Sequence, residues 1–167
     1  MAVRTFAVAT FTTSAVADTT NIVDNNFMVL QGAAATQRTK IKEVYAGGQE
    51  DATTSPQVLL LARDTTAVAT PTALGTGESD EADDPATAPL AAPVVVCTAS
   101  GTQPQRGKRY LANLSFNALG GLVRLRFPYG EEPAIVGSTQ PLGEVSLSGF
   151  TGTIPAAIGA HIKYETL

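Results

Sequence analysis

The sequence has no tryptophan, one cysteine and one histidine, and only 16% of its 167 residues are charged. A lone thiol, Cys97, excludes an internal disulfide framework, and its setting Val94-Val-Val-Cys97 predicts a small buried hydrophobe compatible with a reducing compartment. With one imidazole and one thiol, a His/Cys metal cluster within a single chain is excluded by count. Nucleophilic catalysis needs a base beside the nucleophile and a third group to orient it. His161 lies instead among Ile162, Lys163 and Tyr164, in a strand-like context that predicts a structural or surface histidine. The chain therefore reads as no enzyme, with no cofactor and no metal. Long apolar runs are also missing: nothing approaches the roughly 18 consecutive residues of a membrane span. Arg4, Thr5 and Thr10 interrupt the first eleven residues, so these lack the apolar core of a signal peptide, and synthesis in the cytoplasm is expected.

Positive charge is in deficit. Eleven basic residues against 15 acidic ones leave a net charge of -4, a field that repels phosphate backbones and argues against nucleic acid as a partner. The surface must then consist largely of Thr, Ser, Asn, Gln, Ala and Gly, which is cheap to desolvate and suits contacts between proteins. Aromatic residues make up 6% of the chain, few for the flat platforms on which sugars stack. Acid is concentrated in Glu78-Ser-Asp-Glu-Ala-Asp-Asp84, which lacks the alternation, central glycine and terminal glutamate of an EF-hand loop and reads as a solvated, self-repelling run. Spacing alone pairs none of Glu43, Glu131, Glu132 and Glu144 across a cleft.

What the sequence does have is strand texture. In Tyr110 to Asn117, Tyr110, Ala112, Leu114 and Phe116 share one face; in Leu122 to Phe127, Val123, Leu125 and Phe127 do so while Arg124 and Arg126 point out. Gly120-Gly121 is the turn between them, and Gly47-Gly48 is read as a turn closing the strand Arg38 to Tyr45. In that strand Ile41 and Tyr45 are expected inward and Arg38, Lys40 and Lys42 outward. Glu43 then falls on the inward side, so either a bulge corrects the register or its carboxylate meets a partner there. Further strands are expected within residues 2–11 and 21–31, at Ala134 to Val136, at Gly143 to Gly149 with Val145 and Leu147 inward, and at His161 to Glu165 with Ile162 and Tyr164 inward. The apolar runs Gln57 to Ala62 and Val94 to Cys97 predict strands covered on both faces, by a second sheet and by a loop, a terminus or a neighbouring subunit. The expected architecture is one domain, residues 1–167, an all-β antiparallel sandwich of jelly-roll type with about eight to ten strands. One long acidic loop is expected over about residues 70–89, where several prolines and glycines interrupt any period.

Two clusters of cations stand out, Arg106, Lys108 and Arg109 entering one strand, and Arg124 with Arg126 on another. They are either ordinary solvated charges or contacts to an acidic protein partner.

Several phrases resemble those of small head proteins of tailed bacteriophages. They are Lys42-Glu-Val-Tyr-Ala-Gly-Gly-Gln49, Leu59-Leu-Leu-Ala-Arg-Asp64, Leu114-Ser-Phe-Asn-Ala-Leu-Gly-Gly-Leu-Val-Arg124, Tyr129-Gly-Glu-Glu132, Gly143-Glu-Val-Ser-Leu-Ser-Gly-Phe150 and Gly159-Ala-His-Ile-Lys-Tyr-Glu165. The class is similar to capsid decoration or cement proteins. That resemblance implies a symmetric homo-oligomer on the virion exterior, where weak contacts to neighbouring major capsid subunits are multiplied into a clamp. It carries no functional motif, so the contact residues named for it are the clustered cations Arg106, Lys108, Arg109, Arg124 and Arg126. The competing expectation is a tail- or fibre-type β-domain that contacts a host glycan.

Overall fold

The structure is a computed structural model and describes residues 4–12, 26–32, 38–49, 56–66, 72–73, 81–82, 94–96, 106–137, 139, 141–149 and 158–166. Twelve strands and no helix occur among them: β1 (Arg4–Thr12), β2 (Asn26–Gln31), β3 (Arg38–Gly48), β4 (Pro56–Asp64), β5 (Thr72–Ala73), β6 (Glu81–Ala82), β7 (Val94–Val96), β8 (Arg106–Asn117), β9 (Leu122–Arg126), β10 (Ala134–Val136), β11 (Glu144–Gly149) and β12 (Ile158–Thr166). The count exceeds the expected range because pairing also recruits segments of two or three residues. Two of these, β5 and β6, fall within residues 70–89, and the rest of that expected loop, like Cys97, lies outside the described residues.

The strands form two antiparallel sheets of six. In the first the order is β10-β3-β12-β1-β6, with β9 also pairing with β3; in the second it is β5-β7-β2-β11-β4-β8. The pairings nest: β1 with β12, β2 with β11, β3 with β9 and β10, and β4 with β8. Alternation explains why two layers form. Leu59, Leu61, Leu114, Val145 and Leu147 of the second sheet and Ile41, Val44, Ile135, Ile162 and Tyr164 of the first belong to one buried apolar cluster. Arg63 ties the layers at one margin, its Nη2 donating to the Ala134 carbonyl of β10 at 2.7 Å.

Both faces of β4 are buried within a single chain: Leu59 and Leu61 join the core, while Leu60 and Ala62 alternate with them and are buried too. The expected double cover is therefore present, and it requires no neighbouring subunit. For Gln57 to Ala62 a neighbouring subunit is thus not needed as cover, while the side chains of Val94 to Cys97 lie outside the described residues.

Three sequence expectations are corrected, two of them by bulges. On β3, Lys163 pairs with Glu43 and Tyr164 with Ile41, so Lys42 is the extra residue. Beyond it Val44 turns inward, and Glu43 and Tyr45 join Lys40 and Lys42 on the outer face. On β8, Leu61 pairs with Ala112 and Ala62 with Tyr110, which makes Leu111 extra. Leu111 packs on the core, and Tyr110 is left 43% exposed rather than inward. Gly47 and Gly48 are the last residues of β3, paired with Gly159 and Ile158, and form no turn. At Gly48 the chain passes so close to the β8–β9 turn that an added Cβ would lie 2.1 Å from the Ala118 carbonyl oxygen.

Candidate functional site

The outer face of the first sheet gathers most of the described charge, because three adjacent strands place polar residues there in register. One row is Arg124, Tyr45 and His161, carried by β9, β3 and β12; the next is Arg126, Glu43 and Lys163 on the same strands. In the first row Tyr45 is flanked on both sides. Its ring stacks on His161 with centroids 5.7 Å apart, and the Arg124 guanidinium lies 5.0 Å from its centroid.

The second row is asymmetric. Arg126 is directly opposite Glu43 in register, yet the Glu43 carboxylate is taken by the Nε of Arg124, the diagonal neighbour. Glu43 is only 6% exposed, so the partner expected for it exists. Arg126 stays exposed and makes no ion pair among the described residues.

Where β9 ends, the chain leaves the edge of β3 at its bulge and returns as β10. The excursion is pinned at both ends, with the Phe127 N–H donating to the Lys42 carbonyl at 3.0 Å and the Ile41 N–H to the Pro133 carbonyl at 2.9 Å. A β-turn closes its tip, the Glu131 N–H donating to the Pro128 carbonyl at 3.0 Å. Gly130 takes the third position with φ +91°, which a side chain would oppose. Tyr129 at the second position is 90% exposed, and the ammonium groups of Lys40 and Lys42 each lie 5.6 Å from its ring centroid.

Glu132 anchors this loop. Its carboxylate accepts from Lys42 Nζ at 2.6 Å and from the Gly130 N–H at 2.7 Å, with Lys40 Nζ at 3.9 Å. The Lys42 hydrogen bond leads the backbone contacts in holding its pKa down at about 2. Lys42 is raised in return, chiefly by Glu132 and, against the cost of burial, by Glu165 at 3.2 Å.

Between the anchored loop and the sheet lies an open groove of about 690 Å³, lined by Lys42, Glu43, Arg126, Phe127, Pro128, Tyr129 and Lys163. A smaller hollow of about 230 Å³ sits farther along β3, where Gly47, Gly48 and Gly159 meet Tyr45, His161 and Leu122.

Of the cations singled out from the sequence, Arg124 and Arg126 share this face, but only Arg126 lines the larger groove. The side chains of Arg106, Lys108 and Arg109, at the start of β8 in the other sheet, lie outside the described residues. Sequence reading missed Lys163, Tyr129 and Glu132. The signal for Tyr129 was present in Pro128-Tyr-Gly130, a turn sequence that exposes its second residue. The sequence matches no protein-family model, and no curated protein matches it.

Proposed function

We propose that the chain is a virion structural protein that decorates and stabilises a phage capsid from outside by bridging major capsid subunits. The observation that carries this reading is the outer face of the first sheet, where an exposed Tyr129 and an Arg126 with no ion pair among the described residues flank a groove of about 690 Å³. Tyrosine and arginine are enriched among the anchor residues of protein interfaces. The nested strand pairing supports the jelly-roll type of sandwich, an architecture found in viral capsid proteins and also in lectins. Fold therefore does not separate the two readings, and the site must.

One observation favours the glycan-binding alternative, the hollow beside Tyr45 and His161. A sugar platform needs an open aromatic face, whereas Tyr45 has Arg124 against its ring and His161 stacked on it. This arrangement favours the protein partner.

Purified empty shells of the parent phage, mixed with the protein and sedimented, test the reading. Saturable co-sedimentation and added heat resistance of the shells are expected. A protein that binds no shell and binds a glycan instead overturns it.

A further inference from the structure

The exposed row Leu122, Arg124 and Arg126 belongs to β9, which pairs with β3 on one side, and no described strand pairs with its other side. The bonds at the ends of this ladder fix its phase. The Phe127 N–H donates to the Lys42 carbonyl and the Gly48 N–H to the Gly121 carbonyl, so in this antiparallel register the hydrogen-bonded pairs are Val123 with Ala46 and Leu125 with Val44. Leu122, Arg124 and Arg126 therefore turn their N–H and C=O groups away from β3, along the open edge. Such a row is a template for another strand. Side-chain cover is incomplete there too: Val123, Leu125 and Phe127 pack on the core but are only partly buried, and Leu122 on the opposite face is 73% exposed. Charge on the edge selects what fits it. Full-length antiparallel pairing of β9 with a second copy sets Arg124 against the same residue of the copy, and like charges directly opposite weaken a ladder. A strand carrying carboxylates instead meets Arg126, which is exposed and has no ion pair among the described residues.

We propose that the open edge of β9 takes an extended segment of the partner protein as an added antiparallel strand, one in which acidic residues alternate with apolar ones. Main-chain hydrogen bonds to Leu122, Arg124 and Arg126 supply the affinity, as in other cases of strand addition. The apolar side chains of the segment extend the cover over Val123, Leu125 and Phe127. Its carboxylates lie on the outer face, where the one beside Arg126 supplies selectivity, since Arg124 is already engaged by Glu43. Pro128, which has no N–H to donate, limits the ladder at its far end. The source of the segment, a shell subunit, rests on the decoration reading above; the edge and its hydrogen-bonding phase do not.

The test uses the full chain, empty shells of the parent phage and synthetic peptides in which glutamate alternates with valine. Residue-resolved hydrogen exchange of the free protein should find the amides of Leu122, Arg124 and Arg126 fast and those of Val123, Leu125 and Phe127 slow. Binding to shells, or to the peptide, should slow the first three. In an antiparallel ladder with glutamates beside the arginines, N-methylation of the peptide's glutamates removes the donors that face β9 and should abolish binding, whereas N-methylation of its valines should not. Arg126→Glu, checked for folding by circular dichroism, should weaken binding to shells about tenfold. Leu122→Pro deletes a donor that β3 does not use and should weaken it about fivefold. Shells that bind and leave the three amides fast overturn this edge and leave the decoration reading standing. A protein that binds no shell but takes up the peptide with those amides slowed loses the decoration reading and keeps the edge. Amides already slow in the free protein, or slowed by neither shells nor peptide, overturn the proposal.

Discussion

On the outer face of the first sheet, Lys40, Lys42, Tyr45, Arg124 and Lys163 lie partly or fully in solvent, whereas on the outer face of the second sheet Glu144, Ser146, Ser148 and Asp64 are buried within the same chain. Both sets alternate with core residues in the same way. Burial, not alternation, separates their chemistry. Among covered residues an unmatched polar group is costly, and the Ser146 hydroxyl is matched by a buried hydrogen bond from its Oγ to Asp64 Oδ1 at 2.6 Å. Among open ones a mismatch costs little, so Arg126 can stand without an ion partner among the described residues. The open row on the first sheet is therefore the one that offers charge to another molecule, and the buried row along β11 and β4 carries stability.

The sharpest break of this contrast is Asp64→Ala, which leaves the buried Ser146 hydroxyl without its acceptor and is expected to destabilise the fold by about 3 kcal/mol in urea titrations. A loss under about 1 kcal/mol would mean that the covered face tolerates mismatch as the open one does. Between the two faces, Gly48→Ala drives a methyl group into the Ala118 carbonyl, where backbone on both sides resists movement. A loss of about 2 kcal/mol is expected from the strain.

On the open face the effects shrink. The pKa of Glu132 is lowered from 4.5 to about 2, so its contribution to stability is fully present above about pH 4.5 and is lost as pH falls toward 2. Glu132→Gln should flatten the acid limb of stability against pH in that window, and an unchanged limb would show that the Lys42 contact does not hold the loop. Arg124→Ala removes the partner of the buried Glu43 carboxylate from an ion pair whose arginine is half exposed, and is expected to cost about 1–2 kcal/mol. Smallest of all, Arg126→Ala should leave the melting temperature within error, because the side chain is exposed and has no ion pair to lose among the described residues.

Strand class was legible in the sequence wherever period two ran uninterrupted. Leu122 to Phe127 follows its expected alternation residue by residue, with Arg124 and Arg126 exposed, and Val145, Leu147, Ile162 and Tyr164 are buried as expected. The reading failed where a bulge shifts the count, at Lys42 and at Leu111, since one extra residue puts the side chains on its two sides out of phase. Glu43 shows how far a sequence can go on such a point. Its position in the pattern demanded either a bulge or a partner, and both are present.

The candidate site was less legible. Arg124 and Arg126 are two residues apart and looked equivalent, yet the Glu43 carboxylate accepts from one and not the other. Lys163 is nearly forty positions away from them, and nothing local connects it to Arg126.

By itself, then, the sequence determined that the chain forms strands, which face of an unbroken strand is apolar, and that the molecule is acidic with few cations to spend. These follow from local sterics and from side-chain chemistry, which act over a few residues. Only the tertiary structure decided which polar rows are covered, which cation has no ion pair among the described residues, and that β6 and the groove belong to opposite edges of one sheet. Those are facts of register and strand order, fixed by pairing between residues as distant as Arg4 and Thr166, and no local pattern encodes them.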